Sequence, residues 1–123
     1  MKIAREMEGY PHAEVYACLT DVFKCKWTLE ILDAITQGIN RPGRLERALP
    51  GLTQKVLQER IRKLERYGII ERVAYPVIPP HVEYRFTERG ERLIELLRAI
   101  RQFAERWDQA KFTSLHTSPA NDG

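Results

Sequence analysis

The sequence predicts an α+β fold that is mainly helical, in which a pair of short strands separates several helices from one long final helix. Two observations lead to this prediction. Apolar residues recur at helical spacing between residues 12 and 66, and again from residue 88 onward. Between these stretches, two short runs are rich in β-branched and aromatic residues that alternate with polar ones, which is typical of strands.

A single domain accounts for nearly the whole chain. Its 123 residues are enough for one hydrophobic core and too few for two. We expect residues 1–112 to form this domain, with a helical core at about 27–68, a hairpin at about 69–87 and a last helix at about 88–110. Residues 113–123 have few apolar side chains to bury and are predicted to be a disordered tail.

Composition excludes several functional classes. No apolar run reaches the ~18 residues that span a bilayer, and the first residues lack the apolar core of a signal peptide, so we expect a cytoplasmic protein without a membrane partner. The two cysteines and three histidines have no metal-ligand spacing, and the sequence has no phosphate-binding glycine loop or nucleophile–base set. We therefore expect no catalytic residue, no metal and no cofactor.

The first three helices are predicted from their apolar sides and their ends. The first spans residues 12–23, with an apolar side formed by Val15, Leu19, Val22 and Phe23. The second runs from Lys26 to a stop at Gly38, with an apolar side formed by Trp27, Ile31, Leu32 and Ile35. Pro42 can open a short third helix, because proline suits the first helical position.

The fourth predicted helix has one apolar side and one strongly polar side. Thr53 is a natural N-cap for a helix that starts at Gln54, and Gly68 suits the left-handed residue after the helix end. The inner side is formed at helical spacing by Leu57, Ile61 and Leu64. The outer side is formed by Lys55, Gln58, Glu59, Arg62 and Arg66.

A hairpin and a final helix complete the pattern. Pro76, Pro79 and Pro80 exclude a central strand, so the short runs on either side of them form an edge hairpin. Thr87 begins the last helix, whose apolar side is formed by Leu93, Leu96, Leu97, Ile100, Phe103, Ala104 and Trp107.

This order of elements is that of a winged helix-turn-helix, in which the helix after the short one enters the major groove and the hairpin is the wing. Residues 41–72 carry nine cations against four acidic residues, whereas residues 1–40 carry four against six and residues 73–123 are neutral. A basic segment on a nearly neutral chain favours a polyanion partner, here double-stranded DNA. The alternative is a winged helix that serves as a protein–protein adaptor, although an adaptor has no need for this charge.

Four stretches of the sequence resemble the HxlR family of bacterial and archaeal transcription regulators, which are relatives of MarR-type winged helices. They are "KWTLEIL", "RALPGLTQKVLQERIRKLERYGIIER", "YPVIPPHVEYRFTERG" and the last helix. The resemblance extends from about residue 15 to residue 107 and implies a homodimeric regulator that binds a near-palindromic operator. The family usually has a sensing cysteine before its first helix, and this position falls near Glu14 here.

The candidate DNA-binding residues lie on the fourth helix, the short helix and the wing. Glutamine can recognise adenine with two hydrogen bonds, and lysine can reach guanine or phosphate. Arg41 and Arg62 are assigned to phosphate, whereas Arg44 could pack its stem over apolar neighbours and His81 could belong to the turn alone. The full predicted set is Arg41, Arg44, Thr53, Gln54, Lys55, Gln58, Arg62, His81 and Arg85.

Self-association is predicted from the last helix, because its apolar stripe is longer than one small core can cover. The N-terminal helix is expected to join this interface from the partner chain, so both ends of the chain supply dimerisation helices. The predicted dimer residues are Val15, Leu19, Leu97, Ile100, Phe103 and Trp107.

Cys25 is a candidate redox residue because it lies between Lys24 and Lys26, whose ammonium groups favour the thiolate. The alternative is that Cys25 is a small apolar residue, the usual role of a lone cysteine. Cys18 lies beside the apolar stripe of the first helix and is assigned to the core. The effector and the operator sequence do not follow from these patterns.

Overall fold

The computed structural model describes residues 11–117 and the side chains of residues 11–109. This part of the chain forms α1 (Ala13–Lys24), α2 (Lys26–Thr36), α3 (Pro42–Ala48), α4 (Gln54–Arg66), β1 (Ile70–Tyr75), β2 (His81–Phe86) and α5 (Glu88–Thr117). The predicted α+β, mainly helical winged helix-turn-helix is confirmed. The first ten residues and residues 118–123, predicted as part of the domain and of the tail, lie outside the described residues.

Local signals in the sequence set the helix ends where they were predicted. Pro42 is the first residue of α3, and the Thr53 hydroxyl oxygen accepts a hydrogen bond from the Val56 N–H at 3.2 Å, which caps α4. Gly38 and Gly68 have φ values of 90° and 76° just after α2 and α4, a conformation that glycine adopts without steric cost. Between α1 and α2, Cys25 has an extended backbone and separates the two helices.

One hydrophobic core joins the three-helix unit, the sheet and the start of α5. The inner side of α4 shares this core with side chains from α2 and α3, and the most deeply buried side chains are Val22, Ile31, Leu32, Leu45, Leu57, Ile61, Leu64 and Ile69. Burial of each such side chain contributes about 1.5–3 kcal/mol relative to exposure. From α5, Leu93 and Ile94 join this core, so Ile94 is a core residue outside the predicted apolar stripe.

The sheet is a single antiparallel hairpin in which Ile70 pairs with Phe86 and Tyr75 pairs with His81. The Tyr84 N–H donates to the Asn40 carbonyl oxygen at 2.8 Å, which fastens β2 to the segment just before α3. The wing is therefore attached to the helix-turn-helix through its backbone as well as through its core-facing side chains.

The start of α5 is packed closely against residues 68–69, which follow α4. The Thr87 hydroxyl donates to the Gly68 carbonyl oxygen and accepts from the Gly90 N–H at 3.0 Å, so Thr87 caps α5 as predicted. A Cβ atom at Gly90 would overlap the Ile69 carbonyl oxygen and lie 3.0 Å from the Ile69 carbonyl carbon. The threonine and glycine of the "TERG" run thus allow the close approach of α5 to residues 68–69.

Helix α5 is longer than predicted. It reaches Thr117 instead of ending near residue 110, and so includes residues 113–117, which the sequence predicts to be part of the tail. The physical reason is that no glycine or proline occurs between Gly90 and Pro119, so nothing in this stretch breaks a helix. Despite its length, neither α5 nor any other helix in the described part of the chain is apolar enough to cross a membrane.

Candidate nucleic-acid interface

The polar side of α4 faces solvent along the whole helix. Thr53, Gln54, Lys55 and Arg62 are exposed and Gln58 is half-buried, because the opposite side of the helix is held in the core by its leucine and isoleucine residues. The first turn of α4 has no acidic residue that would offset the positive end of the helix dipole. Lys55 adds its positive charge at the same end of the helix. Hydroxyl, amide and ammonium donors are thereby presented from one exposed surface.

A polar cluster fixes α4 relative to α1. The Tyr67 hydroxyl donates to the Asp21 carboxylate, and Lys63 Nζ lies 3.4 Å from the same carboxylate. Burial raises the pKa of Tyr67 to about 12, with the Asp21 hydrogen bond adding to this effect. Burial also acts to raise the pKa of Asp21, but the Tyr67 hydrogen bond and Lys63 outweigh it and lower that pKa. Lys63 thus forms an ion pair within the protein, whereas Lys55 and Arg62 are exposed.

Arg41 and His81 are brought together at the junction of α3 and the wing. The Arg41 guanidinium donates to His81 Nδ1 at 2.6 Å, so the ring proton lies on Nε2, which donates to the Glu83 carboxylate at 2.8 Å. This hydrogen bond from His81 is the main cause that lowers the pKa of Glu83. His81 is therefore more than a turn residue. Arg41 uses one donor in this contact and is otherwise exposed to solvent.

The remaining predicted cations lie on either side of this junction. Arg44 is exposed on the first turn of α3. Arg85 is exposed on β2, where its guanidinium lies 4.0 Å from the Glu71 carboxylate, a weak pair at a solvated surface. The predicted DNA-binding residues therefore occupy three adjoining elements, namely the outer side of α4, the start of α3 and the wing.

Sequence patterns did not predict the contacts that hold these elements together. Asp21 and Tyr67 are 46 residues apart, and Arg41 and His81 are 40 apart, so no local spacing indicates either contact. Glu83 had a local signal, since it lies two residues after His81 and thus on the same side of a strand.

The two cysteines have different surroundings. Partial burial raises the pKa of the Cys18 thiol, and Asp21 adds to this effect. Partial burial also acts to raise the pKa of the Cys25 thiol. Hydrogen bonds from Thr28 and Trp27 at the start of α2, together with the charge of Arg60, outweigh this effect, so the pKa of Cys25 is lowered. The largest lowering effects on this pKa thus come from the start of α2 and not from the flanking lysines, and Lys26 pairs with Glu30 at 3.7 Å.

An apolar surface remains uncovered on α1 and α5. Val15, Phe103 and Trp107 are 50%, 57% and 63% exposed, and the last two rings lie 5.9 Å apart between centroids. The other predicted dimer residues, Leu19, Leu97 and Ile100, are half-buried. Between α1 and α5 a cavity of about 330 Å³ opens among Val15, Cys18, Leu19 and Leu96.

Comparison with known proteins agrees with this architecture. The family model described as HxlR-like helix-turn-helix matches residues 22–112. An HTH-type transcriptional regulator from Synechocystis sp. is 40% identical over 89 residues, which cover 72% of this chain and 66% of that protein. The alignment leaves about a third of the relative's length unmatched.

Two solved structures have the same fold. A MarR-family regulator from Enterococcus faecalis V583 has a TM-score of 0.73 at 32% identity, covering 85% of this chain and 96% of that one. The reduced form of the regulator YodB from B. subtilis has a TM-score of 0.67 at 27% identity, covering 78% and 91%. These relatives are transcriptional regulators, a class of protein that is not enzymatic. The chain described here belongs to the HxlR-like helix-turn-helix family of transcriptional regulators.

Proposed function

We propose that the protein is a cytoplasmic, sequence-specific DNA-binding regulator that acts as a homodimer on a near-palindromic operator. The observation that supports this proposal most strongly is the exposed polar side of α4, which has no acidic residue in its first turn. Major-groove recognition by a helix needs such donors near its N-terminus, and phosphate contacts from neighbouring elements fix its position.

Selection from a pool of random duplexes tests this function. The parent protein is equilibrated with the pool at physiological salt, bound duplexes are amplified over several rounds, and the affinity for the recovered duplex is compared with that for its scrambled version. We expect a recovered site with two inverted half-sites, bound at least about 1,000-fold more tightly than the scrambled duplex. A protein that binds no duplex even at low salt would instead be an adaptor.

Removing a phosphate-contacting cation should reduce both the affinity and its salt dependence. Lys55→Ala and Arg62→Ala should each weaken binding to the recovered duplex and reduce the slope of log K against log salt by about 0.9 per phosphate contact. The measurement is fluorescence anisotropy over a salt series. Lys63→Ala is the matched control, because Lys63 pairs with Asp21. Unchanged binding by both the Lys55 and Arg62 variants would show that this side of α4 is not the interface.

The two glutamines should contribute specificity. Gln54→Ala and Gln58→Ala are each expected to relax the preference at one or two base positions, with a loss of about 1–3 kcal/mol on the recovered site and little on scrambled DNA. Competition binding against single-base variants of the site measures this. An equal loss on every sequence would mark the glutamines as phosphate contacts.

We also propose that the dimer forms through α1 and α5, because the apolar side chains of Val15, Phe103 and Trp107 are exposed in one chain. A second copy would cover them with the same surface, as two-fold symmetry requires. The acidic and basic residues of α5 balance, five of each between Glu88 and Asp108, so like charges do not oppose its self-association.

Cys25 is proposed as an oxidant- or electrophile-sensitive residue, since its thiolate is favoured at the start of α2. YodB, which this chain resembles, has been solved in reduced and diamide-treated forms. We expect a maleimide probe to label Cys25 faster than Cys18 at pH 7.5, because the pKa of Cys25 is lowered and that of Cys18 is raised. Peptide mapping after timed labelling of the folded protein measures both rates, and equal rates would remove the basis for this role.

A further inference from the structure

The tip of the wing, residues 76–80, differs in chemistry from the rest of the candidate interface. Ile78 is fully exposed, at 100%, and Val77 is 52% exposed. No charged residue occurs between Val73 and Pro80. An isolated exposed apolar side chain is ordinary, but here two lie together at the most prominent point of a hairpin.

The tip has few groups that can bind phosphate. Pro76, Pro79 and Pro80 have no N–H group, and the Val77 N–H donates to the Tyr75 carbonyl oxygen at 2.8 Å. The Ile78 N–H is a backbone donor, but the tip has no cation to add to it, so it is poorly suited to hold a phosphate oxygen. The tip presents an exposed apolar side chain on a backbone that is stiffened by three prolines. Docking of this side chain therefore costs little conformational entropy.

The tip continues directly into the basic surface of the protein. His81, the residue after the tip, is hydrogen-bonded to Arg41 at 2.6 Å, and β2 is bonded to Asn40 at 2.8 Å. Arg41 is the first cation of the basic segment 41–72, and Arg44 follows it on an exposed turn. A partner that meets these cations therefore meets the wing tip as well, and the charge of the segment favours a polyanion over a second protein.

We propose that Ile78 is an apolar wedge that enters the DNA minor groove beside the α4 site and partly opens one base step. Isoleucine and proline side chains act in this way in proteins that kink the duplex. The cost of opening is lowest at pyrimidine–purine steps, so the tip would select TA or CA/TG steps without hydrogen-bonding to a base. This inference rests on the proposed DNA-binding function and adds a second, shape-dependent source of specificity to it.

Ile78→Ala, measured on the duplex recovered with the parent protein, tests the wedge. We expect roughly a tenfold loss of affinity, because most of the apolar contact is removed, with no change in the slope of log K against log salt. The thermal unfolding midpoint should stay unchanged, since Ile78 packs against nothing in the core. Arg85→Ala is the matched variant from the same hairpin, and its loss of affinity should come with a reduction in slope of about 0.9.

Two further readouts separate the wedge from other roles of the tip. Energy transfer between dyes at the duplex ends should report a bend with the parent and a smaller bend with Ile78→Ala. Sites selected with the variant should lose the preference for a pyrimidine–purine step.

Unchanged affinity and bend would overturn the inference while leaving the proposed function intact. A variant that changes only the sedimentation of the protein would also overturn it, in favour of a protein contact. A parent that binds no duplex would refute the proposed function itself.

Discussion

The double substitution Phe103→Glu with Trp107→Glu should convert the protein to a monomer of 14.4 kDa and abolish tight operator binding. Both side chains are more than half exposed in the single chain, so the substitutions leave the core of the domain untouched. In a dimer, the same positions would place four carboxylates against an apolar partner surface, and burying unpaired charge costs several kcal/mol per group. Sedimentation velocity measures the change in mass.

A matched control keeps the added charge but moves it off the apolar stripe. Gln102→Glu with Gln109→Glu adds the same two negative charges at exposed positions of α5 about 100° or more away from Phe103 around the helix. This variant should sediment as the parent does, at twice the chain mass. A monomeric parent, or a Phe103/Trp107 variant that remains dimeric, would show that α5 is not the interface.

Gly90→Ala is expected to destabilise the protein at the junction of the wing and α5. Gly90 is buried, and a Cβ atom there would overlap the backbone carbonyl of Ile69 and lie 3.2 Å from the Phe86 ring. Because backbone cannot move aside as a flexible side chain can, α5 must shift away from the sheet. Such overpacking costs about 1–3 kcal/mol, and chemical denaturation monitored by circular dichroism measures it.

Gly43→Ala provides the comparison for this substitution. A Cβ at Gly43, the second residue of α3, would meet only the end of the Arg47 side chain at 3.7 Å. Alanine is the better helix former by about 1 kcal/mol, so this variant should be as stable as the parent or more so. If Gly90→Ala were as stable as Gly43→Ala, the close packing of α5 against Ile69 would be wrong.

The sequence was sufficient to predict the helix-turn-helix because its signals are local. Thr53 caps α4, Gly68 ends it, and Leu57, Ile61 and Leu64 recur at helical spacing, so each feature depends only on residues within a few turns. The end of α5 was predicted too early because residues 113–117 have few apolar side chains to bury, although no glycine or proline breaks the helix before Pro119.

The contacts that position the interface could not be predicted in this way. Asp21 reaches Tyr67 from another helix, and Arg41 reaches His81 from another element, so both depend on the tertiary fold. For Cys25, sequence neighbours suggested lysine charges, whereas the fold places the thiol at the start of a helix. Charge counts along the chain identify a basic segment, but only the structure distinguishes Lys63, which pairs with Asp21, from Lys55 and Arg62, which are exposed.

Recognition of the operator by a homodimer is tested most directly by changing the spacing of the operator half-sites. A two-fold dimer places its recognition helices about 34 Å apart, one turn of DNA, so both copies of α4 face the same side of the duplex. Inserting five base pairs between the half-sites of the recovered duplex rotates one half-site to the opposite side. Binding of the parent protein should then fall to the affinity measured for a duplex with a single half-site. Equal affinity for the original and the expanded duplex would contradict recognition by a homodimer through α4.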